Sequence, residues 1–98
     1  MLMRVLTMRV RQEHLEDWKR YTREVGFPGM LNQPGCRTIQ RMHRQGADAS
    51  EFEVITWWDS IEDLDRFKMS SAMRELSKSA AAFTIPPYRE VLYTLVQE

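Results

Sequence analysis

Ninety-eight residues, 43% of them hydrophobic and 10% aromatic, are enough for one globular domain and exclude a wholly disordered chain. Fourteen basic and fourteen acidic side chains cancel to a formal charge of +0, which argues against the basic excess of a nucleic-acid-binding protein. One cysteine, Cys36, excludes an intramolecular disulfide and fits a reducing cytoplasm, and no apolar run approaches the roughly 20 residues of a membrane span.

Leu2–Val10 alternates weakly and reads as a first strand, with Met3, Val5 and Thr7 on one face and Arg4, Leu6, Met8 and Val10 on the other. Arg4 and Arg9 interrupt any signal-peptide pattern at the start. From about Gln12 the period becomes helical. Leu15, Trp18, Tyr21 or Thr22, and Val25 form the apolar stripe, with Lys19 and its charged neighbours on a solvated face. Gly26 is expected to end this helix and Pro28 to prevent its regular continuation. Phe27–Gly35 is irregular, with room for a short helical turn, and Pro34-Gly35 signals a turn.

Cys36–Arg44 alternates as a second strand, setting Arg37, Ile39, Arg41 and His43 against Cys36, Thr38, Gln40 and Met42. Gln45–Ser50 reads as a hairpin loop and Glu51–Trp58 as a third strand, antiparallel to the second. Ser60-Ile61-Glu62-Asp63 resembles a capping box at the start of a second helix, whose inward stripe is Ile61, Leu64 and Phe67. Ser70-Ser71 breaks or kinks it, and a further piece covers Ala72–Ala82. Pro86-Pro87 forbids helix, and Tyr88–Val96 reads as the last strand.

The order β-α-β-β-α-β defines a ferredoxin-like α+β fold, a four-stranded antiparallel sheet with helices on one face. The adjacent Trp57 and Trp58 must point to opposite faces of it. Trp58 goes under the helices with Phe52, Val54 and Thr56. Trp57, with Ile55 and Glu53, is left on the bare face. A chain this short cannot cover both faces, so a homodimer joined through Trp57, Ile55 and Glu53 is expected.

Pro34-Gly35-Cys36 before the second strand, the strand ending in Trp58, and the Trp58-Asp59-Ser60 turn into a helix resemble the antibiotic biosynthesis monooxygenase (ABM) family over nearly all 98 residues. The resemblance implies a dimeric α+β barrel. It also implies cofactor-free oxygenation of an electron-rich aromatic phenol, quinol or polyketide-like substrate in a cavity between sheet and helices. Many relatives carry His in the second helix about ten residues after the Trp, and a gapless count from Trp58 reaches Lys68. The helical wheel aims Lys68 inward, where it must snorkel, pair with an acid, or occupy a pocket and stabilise a substrate anion. The haem-degrading branch resembles an Asn–Trp–His arrangement. Here the first strand has no Asn, and the Trp and His positions count to Phe67 and Ser77, so no haem is expected.

Lys68 and Trp58 are thus the candidate catalytic residues, and Trp58 serves equally as a core anchor. Phe67, Leu64, Thr56, Thr7 and His43 are the candidate substrate contacts. His14 and His43 lie in distant elements and make no metal set, so neither metal nor prosthetic group is expected. Arg4, Arg37, Arg41 and Arg89 are candidates to gather on the sheet and pair with Glu53 or Glu90. The rival reading is a non-catalytic binding or structural dimer on the same fold.

Overall fold

The computed structural model describes residues 1–97. The first strand, β1 (Leu2–Arg11), leads through a 3₁₀ turn (Gln12–His14) into α1 (Leu15–Tyr21), a π-turn (Thr22–Gly26) and α2 (Phe27–Leu31). Then come β2 (Cys36–Gln45), β3 (Ala49–Trp58), α3 (Ile61–Lys68), α4 (Ser71–Phe83) and β4 (Thr84–Thr94). The sheet is antiparallel with spatial order β2-β3-β1-β4, the ferredoxin-like arrangement.

The first helix does not stop at Gly26. The π-turn carries the chain on, and Pro28 sits in the first turn of α2, where a missing N–H costs nothing. A π-turn holds an extra residue, which shifts the helix phase. Val25 is therefore turned outward, 57% exposed, and Gly26 and Met30 take buried positions instead. The last strand starts at Thr84 rather than Tyr88, because an edge strand tolerates Pro86-Pro87. The register between β1 and β4 shifts between Thr7 and Arg9 to accommodate it.

Cap and turn chemistry fix α3. Ser60 Oγ accepts from Asp63 N at 3.2 Å and donates to Asp63 Oδ2 at 2.9 Å. Gly35 adopts φ +85, and a Cβ there would come 2.3 Å from Asp63 Oδ2, so only glycine fits. Ser70 caps α4 by accepting from Met73 N.

On β3, Ser50, Phe52, Val54, Thr56 and Trp58 are buried, and the residues between them are only partly covered. A bulge between Cys36 and Thr38 brings Cys36 opposite Trp58, so Cys36 shares the helix-covered face with Ile39, Arg41 and His43. The core is divided. One cluster joins Leu2, Met30, Cys36, Trp58, Leu64 and Phe67. The other joins Met8, Val10, Trp18, Phe52 and Val54.

Candidate functional site

Between the two clusters lies a cavity of about 200 Å³. Its floor is the sheet: Arg4, Leu6 and Met8 from β1, and Val54 and Thr56 from β3. Trp18, the π-turn and α2 make one wall; Phe67 and α4 make another; Tyr88 closes the β4 side. Three of the seven methionines, Met8, Met30 and Met73, line it, which suits an adaptable apolar pocket.

Polar groups are few and concentrated. Arg4 and Thr56 are register partners on β1 and β3 and face the cavity side by side. Thr56 Oγ1 accepts from Trp58 Nε1 at 2.9 Å, which leaves its own proton free for another acceptor. Arg4 is 6% exposed and donates through Nε to Glu90 Oε2 at 2.7 Å. Among the described residues its two terminal nitrogens have no hydrogen-bond partner, and Ser50 Oγ is the one sealed polar atom left without one. The other oxygen of Glu90 accepts from Lys68 Nζ at 2.7 Å. Side-chain exposure rises from Arg4 at 7% to Glu90 at 30% and Lys68 at 33%, so the charges step outward from the cavity. Burial pushes the Glu90 carboxyl up, but the hydrogen bonds and charges of Lys68 and Arg4 outweigh it and hold the group below its ordinary value.

Of the residues singled out in the sequence, Thr56 and Phe67 line this cavity. Trp58 is one layer behind them, fully buried, bonded to Thr56 and stacked on Phe67 at 5.2 Å between ring centroids. Leu64 is fully buried in the same cluster. Lys68 takes the acid-pairing option and stands outside the cavity lining. Thr7 is on the opposite face, in register with Glu53 and Arg89. His43 stacks on Phe52 at 4.4 Å and borders a separate shallow hollow with Met42 and Glu51.

The four arginines do not gather. Arg37 pairs with Asp59, Arg4 enters the cavity, and Arg89 is on the bare face. Arg41 spans Trp18 and donates to Thr22 Oγ1 at 2.6 Å, bracing the π-turn. Burial, then the charge of Arg23, lowers its pKa. Sequence reasoning set Arg4 among sheet arginines pairing with Glu53 or Glu90, and Arg4 does pair with Glu90; its place on the same strand face as Leu6, Met8 and Val10 was the available signal that it lies under the helices.

Burial pushes the Cys36 thiol above its ordinary value. Among the described residues no three His, Cys, Asp or Glu side chains come together, and no helix is long and apolar enough to cross a membrane.

A ferredoxin-like domain with an apolar cavity and one cationic corner is the class that fold and site define. The family model of antibiotic biosynthesis monooxygenases (ABM) matches residues 1–79, and the chain belongs to that family. None of the curated proteins matches it. Among solved structures it is similar to one from Nitrosomonas europaea, provisionally described as an antibiotic biosynthesis monooxygenase. That likeness has a TM-score of 0.83 at 15% identity, over 99% of this chain and 100% of the other. A Deinococcus radiodurans protein with the same provisional description gives 0.83 at 10% identity, over 100% and 95%. A third, described as an antibiotic biosynthesis monooxygenase, gives 0.80 at 18% identity, over 99% and 100%. At these identities the likeness is one of fold.

Proposed function

We propose that this protein is a monooxygenase that needs no prosthetic group and oxidises a compact, electron-rich phenol or quinol in the cavity. The observation that carries this is an apolar chamber whose floor offers two hydrogen-bond donors side by side, Arg4 and Thr56. Family membership supports oxygenation as the chemistry. At about 200 Å³ the chamber falls below the roughly 300 Å³ at which drug-sized pockets begin, so one or two fused rings suit it.

The reaction balances without a cofactor. The bound phenol or quinol loses its hydroxyl proton, and the anion gives electrons to dioxygen. A ring carbon bearing two hydrogens in the reactive tautomer becomes a carbonyl, one oxygen atom enters the product, and the other leaves as water. The substrate supplies every electron. The protein's share is desolvation, orientation and stabilisation of the anion. Arg4 is the cation nearest the ligand. Lys68 acts through Glu90, and Trp58 acts through Thr56 and Phe67.

The working unit in this reading is a homodimer. Met3, Val5, Ile55, Trp57, Val91 and Tyr93 form a row of apolar side chains on the bare face, with Val91 37% and Tyr93 53% exposed. Glu53 and Arg89 flank Thr7 on that face and offer opposite charges to a two-fold partner. A free, buried Cys36 supports a reducing cytoplasmic setting.

Oxygen uptake with a panel of one-ring and two-ring hydroxyarenes and hydroquinones tests the reading. Saturable consumption of one dioxygen per product is expected. Binding of the same compounds with no oxygen consumed would leave a non-catalytic carrier as the correct reading.

A further inference from the structure

We infer that Arg4 and Thr56 form an oxyanion site that takes the ligand as its ionised hydroxylate, with Glu90 setting how much of the Arg4 charge is available to it. The inference rests on the cavity being the ligand site proposed above; it names the chemical form the ligand takes there.

Arg4 lines the cavity and uses Nε for Glu90, and among the described residues its terminal N–H groups have no acceptor. A buried guanidinium in that position gains most from an acceptor that is charged and planar. Thr56, its cross-strand neighbour at a Cβ separation of about 5 Å, accepts from Trp58 Nε1 and keeps its hydroxyl proton to donate. Two donors that close together match one oxygen better than two separate ones. Among the described residues no carboxylate lines the cavity; besides Arg4 and Thr56 its polar side chains are the neutral Trp18, Tyr21, Thr22, Ser77 and Tyr88. Glu90 sits behind Arg4, shared with Lys68, so it tempers the field without blocking the site.

The ligand class is therefore an arene with an acidic hydroxyl, and its ionisation is promoted on binding. An ether or a neutral ketone of equal size fills the same space but offers Arg4 only an uncharged, weaker acceptor.

Binding of 4-nitrophenol tests this, because its phenolate absorbs visibly and its electron-poor ring makes a probe that does not turn over. Its methyl ether, 4-nitroanisole, is the control that cannot ionise. The wild-type protein is expected to raise the phenolate-to-phenol ratio of the bound probe about tenfold at fixed pH and to bind the phenol about tenfold more tightly than the ether. Arg4→Met should abolish both preferences while keeping ether affinity, and Arg4→Lys should restore part of them. Glu90→Gln removes the competing charge and should tighten phenolate binding several-fold. Should Arg4→Met fail to fold, Glu90→Gln decides: unchanged or weaker phenolate binding overturns the inference. So does a phenolate preference that survives Arg4→Met, or a wild-type protein that binds phenol and ether alike. Failure to bind either compound removes the cavity as a ligand site and takes both readings with it. Phenolate bound at Arg4, with no oxygen uptake from any electron-rich hydroxyarene, sinks the oxygenase reading and leaves the oxyanion site standing.

Discussion

Arg4 and Thr56 stand directly opposite each other on neighbouring strands, and both face the same cavity. Neither is a surface group: Arg4 is 6% exposed and Thr56 1%. Burial of a guanidinium beside a hydroxyl is costly unless both are used. Glu90 uses one edge of Arg4, and Trp58 uses one side of Thr56. Both residues line the cavity between the two core clusters, where their remaining donors are available to a ligand.

Trp58→Phe isolates the indole N–H. Phenylalanine keeps the stacking on Phe67 and removes the donor to Thr56. The expected cost is about 2 kcal/mol, from the lost hydrogen bond and a smaller ring in a filled core. Urea denaturation measures it. Turnover should fall several-fold, because the Thr56 hydroxyl is then free to rotate.

Lys68→Met and Arg4→Met separate the outer cation from the inner one. Lys68 is paired with Glu90 and outside the lining, so its loss should change turnover only a few-fold. Loss of Arg4 should cost roughly 10²-fold, the scale for one charge-stabilising donor. Initial rates of oxygen uptake compare the two. Equal losses would show that the charges act as a single unit.

Glu90 gives the fold a pH dependence of known sign. Its folded-state pKa lies below the 4.5 of an unperturbed glutamate. A depressed carboxylate pKa adds stability that is fully present above the unfolded value and is lost as pH falls through the folded one. Wild type should therefore lose stability relative to Glu90→Gln as pH falls below about 4.5, and show a constant difference above it. Thermal denaturation of both proteins from pH 7 to pH 3 checks this. A difference that does not change with pH contradicts the pairing.

Strand parity on β3 makes the dimer testable. Trp57 and Trp58 alternate as partly covered and fully buried, so only Trp57 is offered to a partner. Trp57→Glu should shift the protein toward monomer in light scattering, whereas Lys19→Glu, on α1 and away from the bare sheet face, should not. A wild-type protein that is monomeric at micromolar concentration refutes the assembly.

The strands, the β-α-β-β-α-β order and the Ser60 and Ser70 breaks were legible because period-2 alternation, hydroxyl caps and paired prolines are local signals. The π-turn was not, since Thr22–Gly26 obeys helical spacing until an extra residue shifts the phase and swings Val25 outward. The bulge at Arg37 was hidden for the same reason: one added residue reverses which face Cys36 occupies. The site was half legible. Phe67 and Thr56 follow from periodicity. Thr7 was included although its parity set it with Met3 and Val5, on the far face. Arg4 carried the right parity and Glu90 was among its expected partners, but the sequence does not say that the pair lies beside a cavity rather than at an interface.

Labelled dioxygen tests the central claim most directly when wild type is compared with Ala80→Trp. Ala80 is on the α4 wall, and an indole there fills the cavity while leaving Arg4, Thr56 and the bare sheet face untouched. With an electron-rich hydroxyarene, wild type should place one labelled atom in each product molecule and release the other as water. Ala80→Trp, folded to the same extent, should make no product. Labelled product formed at the wild-type rate by Ala80→Trp would put the reaction outside this cavity and contradict the account.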